Sequence, residues 1–97
     1  MPIVSFRQSQ LKDFMESGTL PKNSQWKSVS KIALRKLDML NYAKVLDDLR
    51  IPPGNRLEAL KGDLHGYFSI RINDQWRIVF RWTIEGPSEI EIIDYHF

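Results

Sequence analysis

The chain has no cysteine in its 97 residues. That excludes a disulfide framework, a thiolate metal site and a cysteine nucleophile. It has no apolar run near the ~20 residues that a membrane span requires. Its start, MPIVSFRQSQ, lacks the long apolar segment of a secretory signal. The reading is therefore a reduced, cytoplasmic setting with no membrane. The Walker loop, the dinucleotide-binding glycine pattern, HExxH and Gly-x-Ser-x-Gly are all absent. Histidine is scarce, with only His65 and His96. His65 falls among turn formers and reads as solvated. Taken with Asp63, Asp94 and His96, it matches no standard metal-ligand spacing, so neither metal nor cofactor is expected. No repeat, linker or low-complexity stretch divides the chain, which reads as one domain, 1–97.

Acid is missing locally. Between Glu16 and Asp38 there is none, whereas Lys22, Lys27, Lys31, Arg35 and Lys36 fall there. The acids gather at Asp47-Asp48 and towards the carboxyl end, at Glu85, Glu89, Glu91 and Asp94. The net charge is only +2, but this segregation points to an anionic partner. Lys27, Lys31 and Arg35 are spaced by four and share one helix edge. That edge is either a solvated face or a stripe that contacts phosphate or a partner. No acid inside the stripe offers an i,i+4 pair.

What is present is an ordinary globular composition, 42% hydrophobic and 27% charged. The organising stretch is LKGDLHGYFSIRINDQWRIVFRW, residues 60–82. Phe68, Ile70 and Ile72 alternate with Ser69 and Arg71. After Asn73-Asp74-Gln75, residues Trp76, Ile78, Phe80 and Trp82 alternate with Arg77, Val79 and Arg81. Period two around a turn former is a hairpin with one apolar face. The phase of Trp76 and Trp82 makes them core rather than stacking platforms.

Upstream, Ile3–Phe6 reads as a short strand. Ser9 is a candidate cap for a helix that runs to Glu16 and stops at Gly18. A loop follows, and then a long helix through Trp26, Val29, Ala33, Leu37 and Leu40. This helix continues over Tyr42, Ala43, Leu46 and Leu49, with an adjustment near Asn41, until Pro52-Pro53 end it. Residues 57–60 read as a brief strand, residues 85–88 as a loop and 90–95 as a final strand. Helices first and antiparallel strands afterwards make an α+β fold, with helices on one face of the sheet and the other face open.

Arg71, Arg77 and Arg81 share that second face with Glu91, Ile93 and Tyr95. The terminal Asp94-Tyr95-His96 is either a frayed end or a site at the mouth of the sheet. Cations beside a tyrosine and a histidine suit metal-free RNA cleavage, which needs a proton acceptor, a proton donor and positive charge on the phosphoryl oxygens.

These residues also carry a resemblance. LEALKGDLHGYFSIRINDQWRIVFRW and the closing EIEIIDYH resemble the HigB branch of the RelE-type toxins of bacterial toxin–antitoxin pairs, as do KSVSKIALRKLDML and DLRIPPGNRLEAL. The resemblance covers nearly the whole chain. It implies a RelE-like domain of two or three helices on a curved antiparallel sheet. It also implies a ribosome-dependent endoribonuclease that cuts mRNA, silenced by a helix-turn-helix, HigA-like antitoxin that binds operator DNA.

Residue by residue, the family's site cations resemble Lys61 and Arg77, and its terminal acid, tyrosine and histidine resemble Asp94, Tyr95 and His96. Some relatives have a histidine where this chain has Glu58. Glu58 is either a proton acceptor or a carboxylate paired with Lys61 or Arg56. Arg77 is the phosphate cation or the partner of Glu91, and Lys61 is a site cation or a solvated turn residue. Asp94 orients a neighbour, whereas Tyr95 and His96 transfer protons or stack. Lys27, Lys31, Arg35, Arg71 and Arg81 are the RNA- and ribosome-binding candidates. The alternative function is an inactive relative that serves as an antitoxin-binding and operator co-repressor module.

Overall fold

The computed structural model describes residues 2–94. Tyr95 and His96 therefore lie outside the described residues. Helix α1 spans Gln10–Ser17 and buries Leu11 and Phe14. Gly18 stops it in the left-handed region, its N–H bonded to the Phe14 carbonyl. Ser9 does not cap α1: its backbone is already helical and its side chain bonds to no helix N–H. Helix α2 covers Ser30–Tyr42 and buries Ala33, Leu37 and Leu40, preceded by a single 3-10 turn at Lys27–Val29.

The expected continuation of α2 to Leu49 does not occur. Ala43 turns extended, and a separate 3-10 turn occupies Leu46–Arg50. The reason is local. The Asp48 carboxylate accepts hydrogen bonds from the Lys44 and Val45 N–H groups at 2.8 and 3.2 Å, which starts a new turn instead of extending the old helix.

The strands are β1 (Glu58–Ala59), β2 (Phe68–Arg71), β3 (Trp76–Thr83) and β4 (Gly86–Asp94). They form one antiparallel sheet in the order β1-β2-β3-β4. The hairpin turn is set by the Asn73 side chain, whose Oδ1 accepts from the N–H groups of Gln75 and Trp76. β4 begins earlier than expected: Gly86, Pro87 and Ser88 pair with Thr83, Trp82 and Arg81. Proline is tolerated because β4 is an edge strand, and the Pro87 carbonyl accepts from Val4 N–H at 2.7 Å. The expected first strand reduces to this lacing and one parallel bridge, Phe6 to Ile90.

One sheet face supplies Ile70, Ile78, Phe80, Ile90 and Ile92 to the core shared with α1 and α2. Trp76 is buried there and the half-buried Trp82 packs against it. The other face is not open, contrary to expectation. Leu60 and Tyr67 are buried against Val79, with Leu64 and Ile93 packed on them, so the 60–67 loop roofs the middle of that face.

Candidate active site

Alternation on β3 puts Arg77, Val79 and Arg81 on the face away from the helices. Cross-strand register sets Arg71 and Ile93 beside Arg77, and Ser69 and Glu91 beside Val79; Ser69 in turn pairs with Glu58. Arg77 is not the exposed arginine that the alternation implies, being 7% accessible. Its Nε donates to Ser69 Oγ at 2.8 Å, and its Nη2 donates to the Arg56 carbonyl at 2.6 Å. A buried guanidinium must be bonded and paired, and Glu58 Oε1 lies 3.6 Å from Nη2. Among the described residues Arg77 thus pairs with Glu58, not with Glu91; Glu91 pairs with Arg7 instead.

Two features missing from the sequence reading hold Arg77 in place. Ser69 is fully buried and binds through the register of β2. Arg56 has φ 47 at the end of the 3-10 turn Pro53–Asn55, the left-handed conformation that accompanies its carbonyl's approach to Arg77. That turn is anchored by buried Asn55, whose Nδ2 donates to the Leu49 carbonyl at 3.1 Å and whose Oδ1 accepts from Lys36. Burial, helped by neighbouring Arg35 and Arg71, lowers the Lys36 ammonium below the ordinary lysine range. The only hint in the sequence was Gly54-Asn55 after two prolines.

The other expected residues are more dispersed. Lys61 is exposed just before the 3-10 turn Gly62–Leu64, at the start of the roofing loop. Arg71 stands beside Arg77 but is bonded to Asp74, whose carboxyl it holds below the usual range. Arg81 lies at the far end of the face, its Nε 3.7 Å from Glu89. Asp94 pairs in register with Trp76 and accepts from Gln75 Nε2 at 3.0 Å. By alternation it sits on the helix side of the sheet, not on the Arg77 face. Lys27, Lys31 and Arg35 are exposed in the helical layer, across the sheet from Arg77. Among the described residues, no three His, Cys, Asp or Glu side chains come together as metal ligands. The arrangement chemically available is a buried, permanently charged fork beside a half-exposed carboxylate, with a lysine a short way along the chain.

A family model described as the RelE-like toxin of the type II toxin–antitoxin system HigB matches residues 4–96. The chain belongs to the HigB-like toxins. This HigB-like toxin is 45% identical over 69 residues to Toxin HigB-1 of Vibrio cholerae, a match that covers 71% of this chain and 72% of that protein. It is 35% identical over 81 residues to an uncharacterised Haemophilus influenzae protein, covering 79% of this chain and 75% of the other.

Among solved structures, the YoeB/ParE toxin from Agrobacterium tumefaciens aligns over 100% of both chains with TM-score 0.54 and 24% identity. A chain of the YoeB-YefM complex from Staphylococcus aureus aligns over 100% of this chain and 98% of its own, with TM-score 0.56 and 22% identity. These two likenesses concern the fold, the α+β architecture of helices on an antiparallel sheet. The HigB-like toxin is thus the toxin of a type II toxin–antitoxin pair, the family that LKGD, RINDQWRI and DYH resemble.

Proposed function

We propose that this HigB-like toxin is a ribosome-dependent endoribonuclease that cuts translated mRNA by attack of the 2′-hydroxyl on the adjacent phosphate. The 2′-oxygen bonds to phosphorus as the bond to the 5′-oxygen breaks, leaving a 2′,3′-cyclic phosphate and a 5′-hydroxyl. The observation that supports this reading is the Glu58 carboxylate 3.6 Å from the Arg77 guanidinium. In this reading the carboxylate takes the 2′-hydroxyl proton and the cation neutralises the phosphorane. Lys61 adds charge, Asp94 orients a neighbour, and Tyr95 and His96 transfer protons or stack on bases. The step as proposed calls for no metal, since the side chains supply both the proton acceptor and the positive charge.

Arg71 and Arg81, on the Arg77 face, contact the message, and Lys27, Lys31 and Arg35 contact ribosomal RNA. The partner is a helix-turn-helix, HigA-like antitoxin that carries the toxin to operator DNA, and the setting is the cytoplasm. A second reading, an antitoxin-binding module without cleavage, draws on the bonding of Arg77 to Ser69 and Arg56, which is itself a structural use of that arginine.

Induction in bacteria separates the two. The toxin expressed alone should arrest growth and fragment translated messages, and co-expression of the antitoxin should restore growth. Unimpaired growth at verified expression would favour the second reading.

A further inference from the structure

The face that carries Arg77 holds a second polar cluster. Arg81 lies four residues along β3, about 13 Å away. Tyr67, 8% exposed, forms the floor of this cluster. The Arg7 and Arg81 guanidiniums stand 5.3 and 5.2 Å from its ring centroid. All three side chains converge on Glu89. The Tyr67 hydroxyl donates to Glu89 Oε1 at 2.8 Å and Arg7 Nη2 donates to the same oxygen at 3.2 Å, while Arg81 Nε is 3.7 Å from Oε2. Arg7 Nη2 also donates to the Tyr67 hydroxyl at 2.6 Å, and Arg7 Nη1 reaches Glu91 at 3.5 Å. The arginines and Glu89 are each 40–47% exposed, so the cluster is open to solvent above its buried floor.

Glu89 is held in an unusual backbone. Its φ is 53, where the β3–β4 register shifts between Val79 and Arg81. A bulge residue in the left-handed region is ordinarily glycine. Here a side chain is retained, and its N–H is secured by Ser5 Oγ at 2.9 Å. A clasp for the amino-terminal segment would need Arg7 alone. Two planar forks and a phenol aimed at one carboxylate, over an aromatic floor, are instead the donor set that receives phosphodiester oxygens.

We infer that Arg7, Tyr67 and Arg81 form a phosphate subsite for the RNA strand, which the Glu89 carboxylate fills until an incoming phosphodiester displaces it. The inference rests on the RNA reading above. It adds that the free toxin carries its own competitor, which weakens its hold on RNA. Glu91 remains on Arg7 throughout.

The test measures binding of a short 2′-O-methylated RNA, which lacks the attacking hydroxyl, over a salt series. Glu89→Gln keeps the size and backbone demand of the side chain and removes the charge. It should bind about fivefold more tightly or better, the low end of typical coupling between sites. Arg81→Gln should bind more weakly, with a salt slope shallower by about one, and should cancel the gain in the double variant. Inorganic phosphate, followed through the Arg7 and Arg81 Nε–H resonances, should shift both more in Glu89→Gln than in the parent. Unchanged or weaker RNA binding by a folded Glu89→Gln, or resonances indifferent to phosphate, would overturn the subsite and leave a clasp. RNA cleavage is assayed separately. A tighter Glu89→Gln without any cleavage by the parent would sink the nuclease reading and keep the subsite.

Discussion

Removing Arg77 would strand its partners: Ser69 Oγ and the Arg56 carbonyl would lose their donor, and Glu58 its counter-charge. An unsatisfied buried group costs about 1–3 kcal/mol. In a domain of this size each kcal/mol lowers Tm by roughly 4–8 °C. Arg77→Ala should therefore lose at least about 5 °C in Tm along with its toxicity, so loss of toxicity alone proves little. Glu58→Gln is the cleaner partner experiment, because Glu58 is half-exposed. It leaves the Ser69 and Arg56 bonds of Arg77 in place and removes only the counter-charge. It should therefore lower Tm less than Arg77→Ala does, yet lower cleavage by on the order of 100-fold, the effect of a positioned proton acceptor. Full cleavage by Glu58→Gln would remove that residue from proton transfer. Arg77 and Glu58 were both readable from the sequence as chemistry-bearing residues, but their pairing was not. The pairing depends on a left-handed Arg56 and on the register that brings Ser69 beneath the guanidinium, and neither leaves a pattern in residue types.

At the scale of elements, the hairpin was the most legible part, because strict alternation and the Asn73 turn act over neighbouring residues. The end of α2 was the least legible. Tyr42, Ala43, Leu46 and Leu49 keep helical spacing, and the periodicity cannot show that Asp48 captures two N–H groups and restarts the chain. Those bonds hold the Asp48 carboxyl below its ordinary range, the Lys44 N–H first and the Val45 N–H next. A carboxyl depressed in the folded state stabilises above its unfolded pKa of about 4, and that stability is lost as pH falls through the lower folded value. Asp48→Ala should consequently lower Tm at pH 7, with the deficit shrinking below about pH 4. Thermal melts of the two proteins from pH 7 to pH 2 check this, and a deficit that persisted unchanged into strong acid would argue against the cap. Pro87 offers the converse lesson. Gly86-Pro87-Ser88 reads as a loop, yet an edge strand has no need of that missing N–H and accommodates it.

At the scale of the whole molecule, and among the described residues, the helices bury one face of the sheet and the 60–67 loop roofs the middle of the other. This leaves Arg77 with Glu58 at one end of the second face and Arg81 with Glu89 at the other. The layering was evident from the order of helices before strands. The roof was not, since Leu60, Leu64 and Tyr67 sit among turn formers and show no period. On this account the toxin acts by positioning, charge and proton transfer between its own side chains and the RNA, with the RNA's own 2′-hydroxyl as nucleophile, and the chemistry of the cut ends tests that most directly. Messages cleaved on translating ribosomes by the purified toxin should carry 5′-hydroxyl ends opposite 2′,3′-cyclic or 3′-phosphates. Fragments with 5′-phosphates, the usual product of metal-activated water, would contradict it.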